Sequence, residues 1–312
     1  MIKLKGILLT QGMHGMISQV EGLAKALDLD YTHHTVELNN FWKFFPPKIT
    51  PISQKVFKKI DEKNFDVIIS CGRKSVIPSI YLKQNSLKKV TNIHIQDPKV
   101  NLDNFSYVVA PEHDTLNGEN VFSTKGAIHY LTKEEINNHT NYLKGRLKTE
   151  KEYFLLILGG PTKHYDYSNE NILNIFNLFN DLIKKNNLQG IIVPSMRTPK
   201  DIIELAKNKL REESLVIDSV DKKAYLSGLS LAKYIAVTCD STSMISEAAL
   251  TGKPIYVADI PTKKNDVRIK KFHKLFNQLN IIKKLDNQLE TWHYEILDET
   301  TRIAKEIKKK LI

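Results

Sequence analysis

The sequence has little cysteine and no long apolar run, and these two absences exclude whole classes of protein. Its only cysteines, Cys71 and Cys239, have neither the spacing of metal ligands nor enough partners for a disulfide framework. No apolar run approaches the ~20 residues that a membrane-spanning helix needs. The short apolar run that stops at Thr10 is too short for a secretory signal. We therefore expect a cytoplasmic protein that does not cross a membrane.

The sequence also lacks the signals of nucleic-acid binding and of metal binding. It contains no nucleic-acid recognition motif and no basic stripe interleaved with aromatic residues. Its single Asp-x-Asp sequence, Asp28-Leu29-Asp30, lies at a predicted helix-to-strand turn, which favours a solvated turn over a metal site. We expect no nucleic-acid partner, no bound metal and no cofactor.

Positive charge is in excess, with 46 Lys and Arg against 35 Asp and Glu and a formal net charge of +11. The excess is densest at residues 263–274 and 308–310. A basic face of this kind can hold anionic lipid headgroups or phosphorylated substrates. The chain is rich in Lys, Asn and Ile throughout, so a compositional bias of the source explains the excess equally well.

The length of 312 residues predicts two domains, and the composition is that of an ordinary globular protein, with 41% hydrophobic and 26% charged residues. Strand, loop and helix patterns repeat in both halves, with the boundary near residues 131–150, where the charged segment 144–152 suits a linker. We place the domains at residues 1–145 and 146–312. The predicted last helix, residues 289–311, is long enough to pack back across the first domain.

Residues 234–257 (YIAVTCDSTSMISEAALTGKPIYV) predict a strand, a turn rich in hydroxyl groups, a helix and a second strand. The turn directs backbone N–H groups and the positive end of the helix dipole to the carboxyl edge of a sheet, which favours anion binding. Glu247, one turn into the helix, is close enough to reach a sugar hydroxyl. Ordinary helix capping remains the alternative interpretation. The residues that mark the helix start are Asp240, Ser241, Thr242 and Ser243.

Other predicted strands also end on glycine or polar residues, at Gly12, Gly15, Gly72, Gly159 and Gly160. The agreement of so many loops predicts an α/β fold of two doubly wound, Rossmann-like domains whose carboxyl edges face one another across a cleft.

Two loops of the second half suggest phosphate contacts. The pair Gly159-Gly160, followed by Thr162, lies between a strand and a helix, as suits the close approach of a diphosphate. Arg197 lies in the loop after the next predicted strand and could bind a phosphate through its forked guanidinium.

Acid–base candidates concentrate in the first half. Asp97, Glu112, His113 and Asp114 follow two predicted strands, and His14 lies in the first loop. Each alone is more often a cap or a loop anchor than a base, so the cluster carries more weight than its members.

The aromatic residues Phe41, Trp42, Phe44 and Phe45 form a further cluster before Pro46-Pro47. Such a cluster usually fills a core or a domain edge. An apolar patch that contacts a membrane is the alternative.

Several motifs together resemble a known family. The stretch CDSTSMISEAALTGKPIYV resembles the sugar-nucleotide site of GT-B glycosyltransferases, including the enzyme that makes lipid II. IQDPKVNLDNFSYVVAPEHD, NVFSTKGAIH, LGGPT, SMRTP and DSTSMISEAALTGKP, in this order, resemble the mitochondrial fission family named for elongated mitochondria in plants, which has bacterial members. The likeness covers nearly the whole chain. Bacterial members resemble GT-B enzymes, whereas the plant member is described as an adaptor.

The resemblance implies a role for individual residues. Glu247 would hold the nucleotide ribose, and Gly12 and Gly15 would shape the acceptor side. The loop at Gly12 has no carboxylate, so the base that activates the acceptor must come from elsewhere; the candidates are Asp114, Asp97 and then His14. The residues implied beside the diphosphate are Ser241, Thr242, Ser243, Gly159, Gly160, Thr162 and Arg197.

The first hypothesis is a metal-independent glycosyltransferase that moves a sugar from a nucleoside-diphosphate sugar to an acceptor at or near the membrane surface. Its partners would be the nucleotide sugar and an anionic membrane surface or a lipid-linked acceptor, so we expect peripheral binding to the inner face of the membrane. The alternatives are a sugar-nucleotide epimerase or hydrolase on the same fold and a non-catalytic adaptor. The sugar, the base, the acceptor, the stereochemical outcome and the oligomeric state stay open.

Overall fold

The computed structural model describes residues 3–148, 150–210, 212 and 214–311, and it divides into two units. The first unit comprises Met1–Tyr130 and Asp298–Ile312, and the second comprises Leu131–Leu297. Each unit contains a six-stranded sheet in which every neighbouring pair is parallel. The predicted fold class, α/β with two Rossmann-like sheets, is confirmed.

The first unit builds its sheet in the order β2-β1-β3-β4-β5-β6. Strands β1 and β3 are apolar and almost wholly buried, as expected for parallel strands covered on both faces. Helices α1 and α9 pack on each other and share one buried cluster with this sheet. The strands are β1 (Lys5–Thr10), β2 (Asp30–Thr35), β3 (Val67–Cys71), β4 (Thr91–Ile95), β5 (Tyr107–Pro111) and β6 (Val121–Thr124), and the helices are α1 (His14–Ala26), α2 (Val76–Gln84) and the C-terminal α9 (Glu299–Leu311).

The second unit builds its sheet in the order β12-β11-β10-β7-β8-β9. Its long helix α4 has one apolar face, which buries Ile172, Phe176 and Phe179. The strands are β7 (Glu152–Leu158), β8 (Leu188–Pro194), β9 (Ser214–Val216), β10 (Tyr234–Thr238), β11 (Ile255–Ala258) and β12 (Ile282–Lys284), and the helices are α3 (Lys133–Asn138), α4 (Asn169–Lys185), α5 (Lys200–Leu210), α6 (Lys222–Leu231), α7 (Thr242–Ala249) and α8 (Val267–Gln278).

The division between the units falls at Tyr130, earlier in the chain than residue 145. The reason is that the segment after α3 is hydrogen-bonded to α6 of the second unit. Ser227 on α6 donates its hydroxyl to the carbonyl of Thr140 at 3.1 Å and accepts the backbone N–H of Leu143 at 3.1 Å. Residues 131–145 therefore belong with the second sheet.

The C-terminal helix starts at Glu299 and not near residue 289. The prediction of a helix over residues 289–311 is therefore wrong for residues 289–298. Residues before Glu299 are tied to the second unit instead: the Trp292 ring packs on Tyr256 at 5.1 Å, and the Tyr294 hydroxyl donates to the carbonyl of Lys253 at 2.9 Å. Asp298 then caps the helix by accepting the N–H of Thr301 at 3.0 Å.

Each sheet has a point where the chain reverses the direction in which strands are added. In the first sheet this switch point lies between β1 and β3, and in the second it lies between β7 and β10. Ligands of open α/β sheets bind outside the carboxyl ends of the strands at such a point. Gly159 follows β7 and Asp240 follows shortly after β10, so both flank the switch point of the second sheet.

None of the helices in the described parts of the chain is long and apolar enough to span a membrane.

Candidate functional site

The turn between β10 and α7 has the capped helix start that the sequence predicts. The Ser241 hydroxyl accepts the N–H of Met244 at 3.4 Å, and α7 begins at Thr242. Thr242 and Ser243 are half-buried. The first N–H groups of an α-helix have no partner within the helix, so this turn offers donors for an anion at the carboxyl edge of β10.

A buried carboxylate, Asp240, organises the switch point of the second sheet. Its side chain is 0% exposed and accepts three hydrogen bonds. The donors are the Thr238 hydroxyl at 2.7 Å, the Gly160 N–H at 3.2 Å and the Arg197 guanidinium at 2.6 Å. Asp240 thus ties the loops after β7, β8 and β10 to one another.

Neither Gly159 nor Gly160 has a positive φ, so backbone conformation does not require glycine there. Close packing does. A Cβ on Gly159 would lie 2.3 Å from both carboxylate oxygens of Asp240, and a Cβ on Gly160 would lie 2.1 Å from the carbonyl oxygen of Arg197. The Gly159 N–H also donates to the Thr238 hydroxyl at 2.8 Å. The missing side chains therefore let the loop after β7 approach Asp240 and Arg197.

We expect Gly159→Ala to lower the free energy of unfolding by about 1 to 3 kcal/mol, because the added methyl group must displace the buried Asp240 carboxylate. Chemical unfolding of the purified protein measures this change. Gly145→Ala is the matched control, because a Cβ there meets no atom within 4 Å. Equal losses in the two variants would show that Asp240 can move aside.

The Arg197 guanidinium is hydrogen-bonded within the protein, so not all of its N–H groups are free to bind a ligand. Its Nη1 donates to the carbonyl of Gly160 at 3.0 Å and its Nη2 to Asp240. The side chain is 42% exposed, so part of the guanidinium still faces solvent. An arginine fixed in this way is preorganised for a phosphate, but it can offer only the N–H groups that the protein does not use.

Thr162 stabilises its own loop. Its hydroxyl accepts the N–H groups of His164 at 3.1 Å and Tyr165 at 3.3 Å, as in a turn closed by a side chain. The same loop pairs with the chain beyond β11 through a bridge between Tyr165 and Thr262. Thr162 therefore shapes the loop after β7.

Glu247 lies on α7 and is half-buried. The Tyr225 hydroxyl, from α6, donates to its Oε2 at 2.6 Å. Burial raises the pKa of Glu247 to about 7, although the hydrogen bond from Tyr225 acts to lower it. The carboxyl group can therefore gain or lose a proton near neutral pH, and when ionised it can accept hydrogen bonds from hydroxyl groups of a ligand.

Asp97 and Asp114, the acid–base candidates of the first unit, follow the neighbouring strands β4 and β5, but their surroundings differ. Asp97 accepts the Lys99 N–H at 2.8 Å and pairs with the Lys99 ammonium at 2.5 Å. Burial acts to raise the pKa of Asp97, but the bonds from Lys99 outweigh it and lower the pKa below its usual value. Asp114 lies 3.8 Å from the His113 ring and is 12% exposed. Because a carboxylate with a lowered pKa is a weaker base, the contacts of Asp97 with Lys99 weaken its candidacy as the acceptor base.

His14 is exposed at the first position of α1, with its ring near the edge of Tyr130. His14 follows β1 and Asp97 follows β4. Because β3 lies between these two strands, the two residues do not follow neighbouring strands. Within residues 3–148, 150–210, 212 and 214–311, no group of three or more His, Cys, Asp or Glu side chains is placed to hold a metal ion.

Three side chains of the site were not singled out for these roles by the sequence. The sequence predicts Asp240 as part of the helix cap and predicts no role for Thr238 or Tyr225. The signal for Asp240 was its place directly after a buried strand. Nothing near Tyr225 in the sequence indicates that its hydroxyl reaches Glu247.

Comparison with known proteins identifies relatives along nearly the whole chain. The family model described as Mitochondrial fission ELM1 matches residues 14–311. An uncharacterized protein of Rickettsia prowazekii (strain Madrid E) is 27% identical over 94% of this chain and 95% of its own length. The mitochondrial fission protein ELM1 of Arabidopsis thaliana is 23% identical over 78% of this chain, and the match spans 64% of the Arabidopsis protein.

Solved structures with little sequence identity share the architecture. A UDP-GlcNAc 2-epimerase from Neisseria meningitidis, solved bound to UDP-GlcNAc, is 13% identical with a TM-score of 0.53 and covers 98% of this chain and 100% of its own. The glycotransferase of kitacinnamycin is 10% identical with a TM-score of 0.55 and covers 100% of this chain and 94% of its own. These likenesses show a fold of the GT-B type.

Proposed function

The chain belongs to the mitochondrial fission ELM1 family, and we propose that it is a metal-independent glycosyltransferase that uses a nucleoside-diphosphate sugar. The observation that carries the proposal is the switch point of the second sheet. There the start of α7 is capped by Ser241, Asp240 of the same turn fixes Arg197 from the loop after β8, and Glu247 on α7 has a pKa of about 7. The proposal invokes no metal and no cofactor.

The donor would lie with its diphosphate over the start of α7. The N–H groups and the hydroxyls of Ser241, Thr242 and Ser243 would contact the phosphate oxygens, because a helix N-terminus favours negative charge. The exposed part of Arg197 would contact the same group. Glu247, when ionised, would accept hydrogen bonds from the ribose hydroxyls. Since the Neisseria epimerase was solved with UDP-GlcNAc, that nucleotide sugar is the first donor to test.

The reaction requires a base on the acceptor side, and we assign that role to Asp114, with Asp97 and His14 as the alternatives. The base takes the proton of an acceptor hydroxyl while its oxygen bonds to the anomeric carbon of the sugar. The bond between that carbon and the diphosphate oxygen breaks, and the nucleoside diphosphate leaves with the electron pair. The start of α7 and Arg197 stabilise the charge that develops on the departing oxygen.

A sugar-nucleotide epimerase or hydrolase is the second candidate, and it is favoured by the likeness to an epimerase with a TM-score of 0.53. The same nucleotide contacts serve this chemistry, but no acceptor is needed. An adaptor that kept the fold without the reaction is the third candidate, since the Arabidopsis relative is named as a mitochondrial fission protein and not as an enzyme.

We expect UDP-GlcNAc to raise the thermal unfolding temperature, because a ligand at 100 times its Kd stabilises the folded state by about 2.7 kcal/mol. A thermal-shift screen of nucleoside diphosphates and their sugars measures this effect, and calorimetry gives the Kd of each ligand that shifts the transition.

Product analysis then distinguishes the candidates. Without an acceptor, a transferase leaves the nucleotide sugar unchanged. With an acceptor, it releases nucleoside diphosphate. A second nucleotide sugar formed without acceptor indicates an epimerase, and free sugar indicates a hydrolase. If no nucleotide or nucleotide sugar binds, the enzyme proposal is wrong and the adaptor interpretation gains.

A further inference from the structure

One segment of the first unit, residues 38–60, combines aromatic residues and lysines without a single Asp or Glu. We call it the aromatic–basic segment. It connects β2 to β3 and contains short 3₁₀ turns at Trp42–Phe44, Pro47–Ile49 and Gln54–Val56. Its five lysines are Lys43, Lys48, Lys55, Lys58 and Lys59.

The backbone of this segment is held firmly. Leu38 and Phe57 form an antiparallel bridge that joins its ends. The Arg73 guanidinium donates to the carbonyls of Lys43 at 2.8 Å and Phe45 at 3.1 Å, and the Thr50 hydroxyl donates to the carbonyl of Pro46 at 2.9 Å. A loop tied at both ends and in the middle has a defined surface.

That surface is apolar although it is exposed. Phe44 is 85% exposed, Phe41 64%, Ile49 61% and Ile52 40%. Trp42 and Phe45 are half-buried, and the Phe41 ring lies 4.9 Å from each of them. A groove of about 200 Å³ adjoins this surface and shares Lys48 and Ile52 with it. Exposed apolar groups in one fixed loop are typical of an interaction site.

The charge around this surface is positive. Lys58 and Lys59 pair with Glu37 and Asp61, which lie just outside the segment. Lys43, Lys48 and Lys55 form no ion pair with a carboxylate in the described part of the chain. Trp, Phe and Leu are typical of the membrane-facing side of interfacial segments, and lysines beside them are attracted to anionic headgroups.

We propose that the aromatic–basic segment binds the interfacial region of an anionic phospholipid bilayer. The boundary between headgroups and acyl chains takes up the exposed apolar side chains Phe41, Phe44, Ile49 and Ile52. The lysines that form no ion pair contact the phosphates. An acidic protein surface would match the lysines but not four apolar side chains on one loop. This inference rests on the proposed function in one respect only: an acceptor at the membrane surface requires the enzyme to bind the membrane.

The test is flotation of the full chain with vesicles of phosphatidylglycerol and phosphatidylcholine, compared with vesicles of phosphatidylcholine alone. We expect binding to the anionic vesicles only. Phe41→Ser with Phe44→Ser is expected to weaken that binding at least about tenfold, since the affinity scales with buried apolar area. Lys43→Gln with Lys48→Gln is expected to weaken it about twenty-fivefold, at about fivefold for each lysine.

Leu87→Ser is the matched control, because Leu87 is a fully exposed apolar residue of the same unit outside the segment. The sequence has two tryptophans, so a Trp292→Phe variant leaves Trp42 as the only one, and its emission is expected to shift to shorter wavelength with anionic vesicles. Unchanged unfolding temperatures of the segment variants show that they remain folded.

Equal vesicle binding by the wild type and the Phe41→Ser, Phe44→Ser variant would overturn the proposal. A second outcome is that the wild type self-associates but binds no vesicles, and that this variant does not self-associate. That result would assign the surface to a second copy of the chain instead. Flotation uses no nucleotide, so its result is independent of whether the second unit binds a nucleotide sugar.

Discussion

Asp240→Ala is expected to lower the free energy of unfolding by about 3 to 5 kcal/mol and to abolish nucleotide-sugar binding. The substitution removes the acceptor of three hydrogen bonds at once. It leaves the buried N–H of Gly160 and the Thr238 hydroxyl without this partner. Each buried donor left unsatisfied costs about 1 to 3 kcal/mol. Arg197 is 42% exposed and can regain water, which keeps the loss within this range.

Loss of binding follows from geometry as well as from stability. Without Asp240, the loop after β7 loses the hydrogen bond from Gly160 to the turn before α7, and the Arg197 guanidinium loses the carboxylate that orients it. Calorimetry with the nucleotide sugar, at a temperature where circular dichroism shows the variant to be folded, separates this effect from unfolding. Binding of the folded variant with wild-type affinity would remove Asp240 from the site.

Asp218→Ala is the matched control for this prediction. Asp218 is an aspartate of the same unit that also pairs with a cation, Lys207 at 3.3 Å, but its side chain is 73% exposed. Water screens an exposed pair of this kind, so little change in stability is expected. A double-mutant cycle of Asp240→Ala and Arg197→Ala measures how much of the loss belongs to this pair. A coupling energy near zero would contradict its assigned importance.

The sequence predicts the sheets and the start of α7 well because both depend on local patterns. Short apolar runs rich in β-branched residues, such as β3 and β10, favour buried strands, and Ser241 followed by a helical pattern predicts a capped helix start. The C-terminal helix was predicted too long because residues 289–297 carry helical spacing. Trp292 and Tyr294 in this segment instead bind partners that are remote in sequence.

The site was predicted less completely because its decisive contacts join distant positions. Asp240 meets Arg197 and Gly160 across long stretches of chain, and only the folded sheet brings them together. The same holds for Tyr225 and Glu247. In the first unit, Lys99 is close to Asp97 in sequence, yet its pairing depends on a side-chain conformation that spacing does not determine. Residue types at strand ends locate a site, whereas hydrogen bonds across the sheet decide what each residue does there.

Glu247→Gln is expected to change both stability and ligand binding in a way that depends on pH. The pKa of Glu247 is raised to about 7 in the folded protein from an ordinary value of 4.5. Folding therefore favours the protonated form, and this contribution is fully present below pH 4.5 and is lost as the pH rises through 7. The loss amounts to about 3 kcal/mol, since one pKa unit corresponds to about 1.4 kcal/mol. Glutamine resembles the protonated group, so the variant should match the wild type near pH 4.5 and be the more stable protein at pH 8.

Chemical unfolding at several pH values measures the difference in stability between the two proteins. Glu204→Gln is the control, because Glu204 is an exposed glutamate of the same unit that pairs with Lys207. Its stability relative to the wild type should change little with pH. If the difference between Glu247→Gln and the wild type were the same at pH 4.5 and pH 8, burial would not be favouring the protonated carboxyl group.

Ligand binding should change in the opposite direction. Ribose hydroxyls donate to an ionised carboxylate, so the affinity of the wild type for UDP-GlcNAc should rise as the pH increases through 7. A hydrogen bond to a charged group contributes about 1.5 to 3 kcal/mol, so Glu247→Gln should bind about tenfold to a hundredfold more weakly at pH 8. Both phosphates of this ligand are esterified and keep a fixed charge in this range, so the pH dependence reports on the protein. Calorimetry near pH 7 in buffers of different ionisation enthalpy should show proton release on binding to the wild type and none for the variant. Proton release that persists in Glu247→Gln would assign the titration to another group and leave Glu247 with a structural role, as the partner of Tyr225.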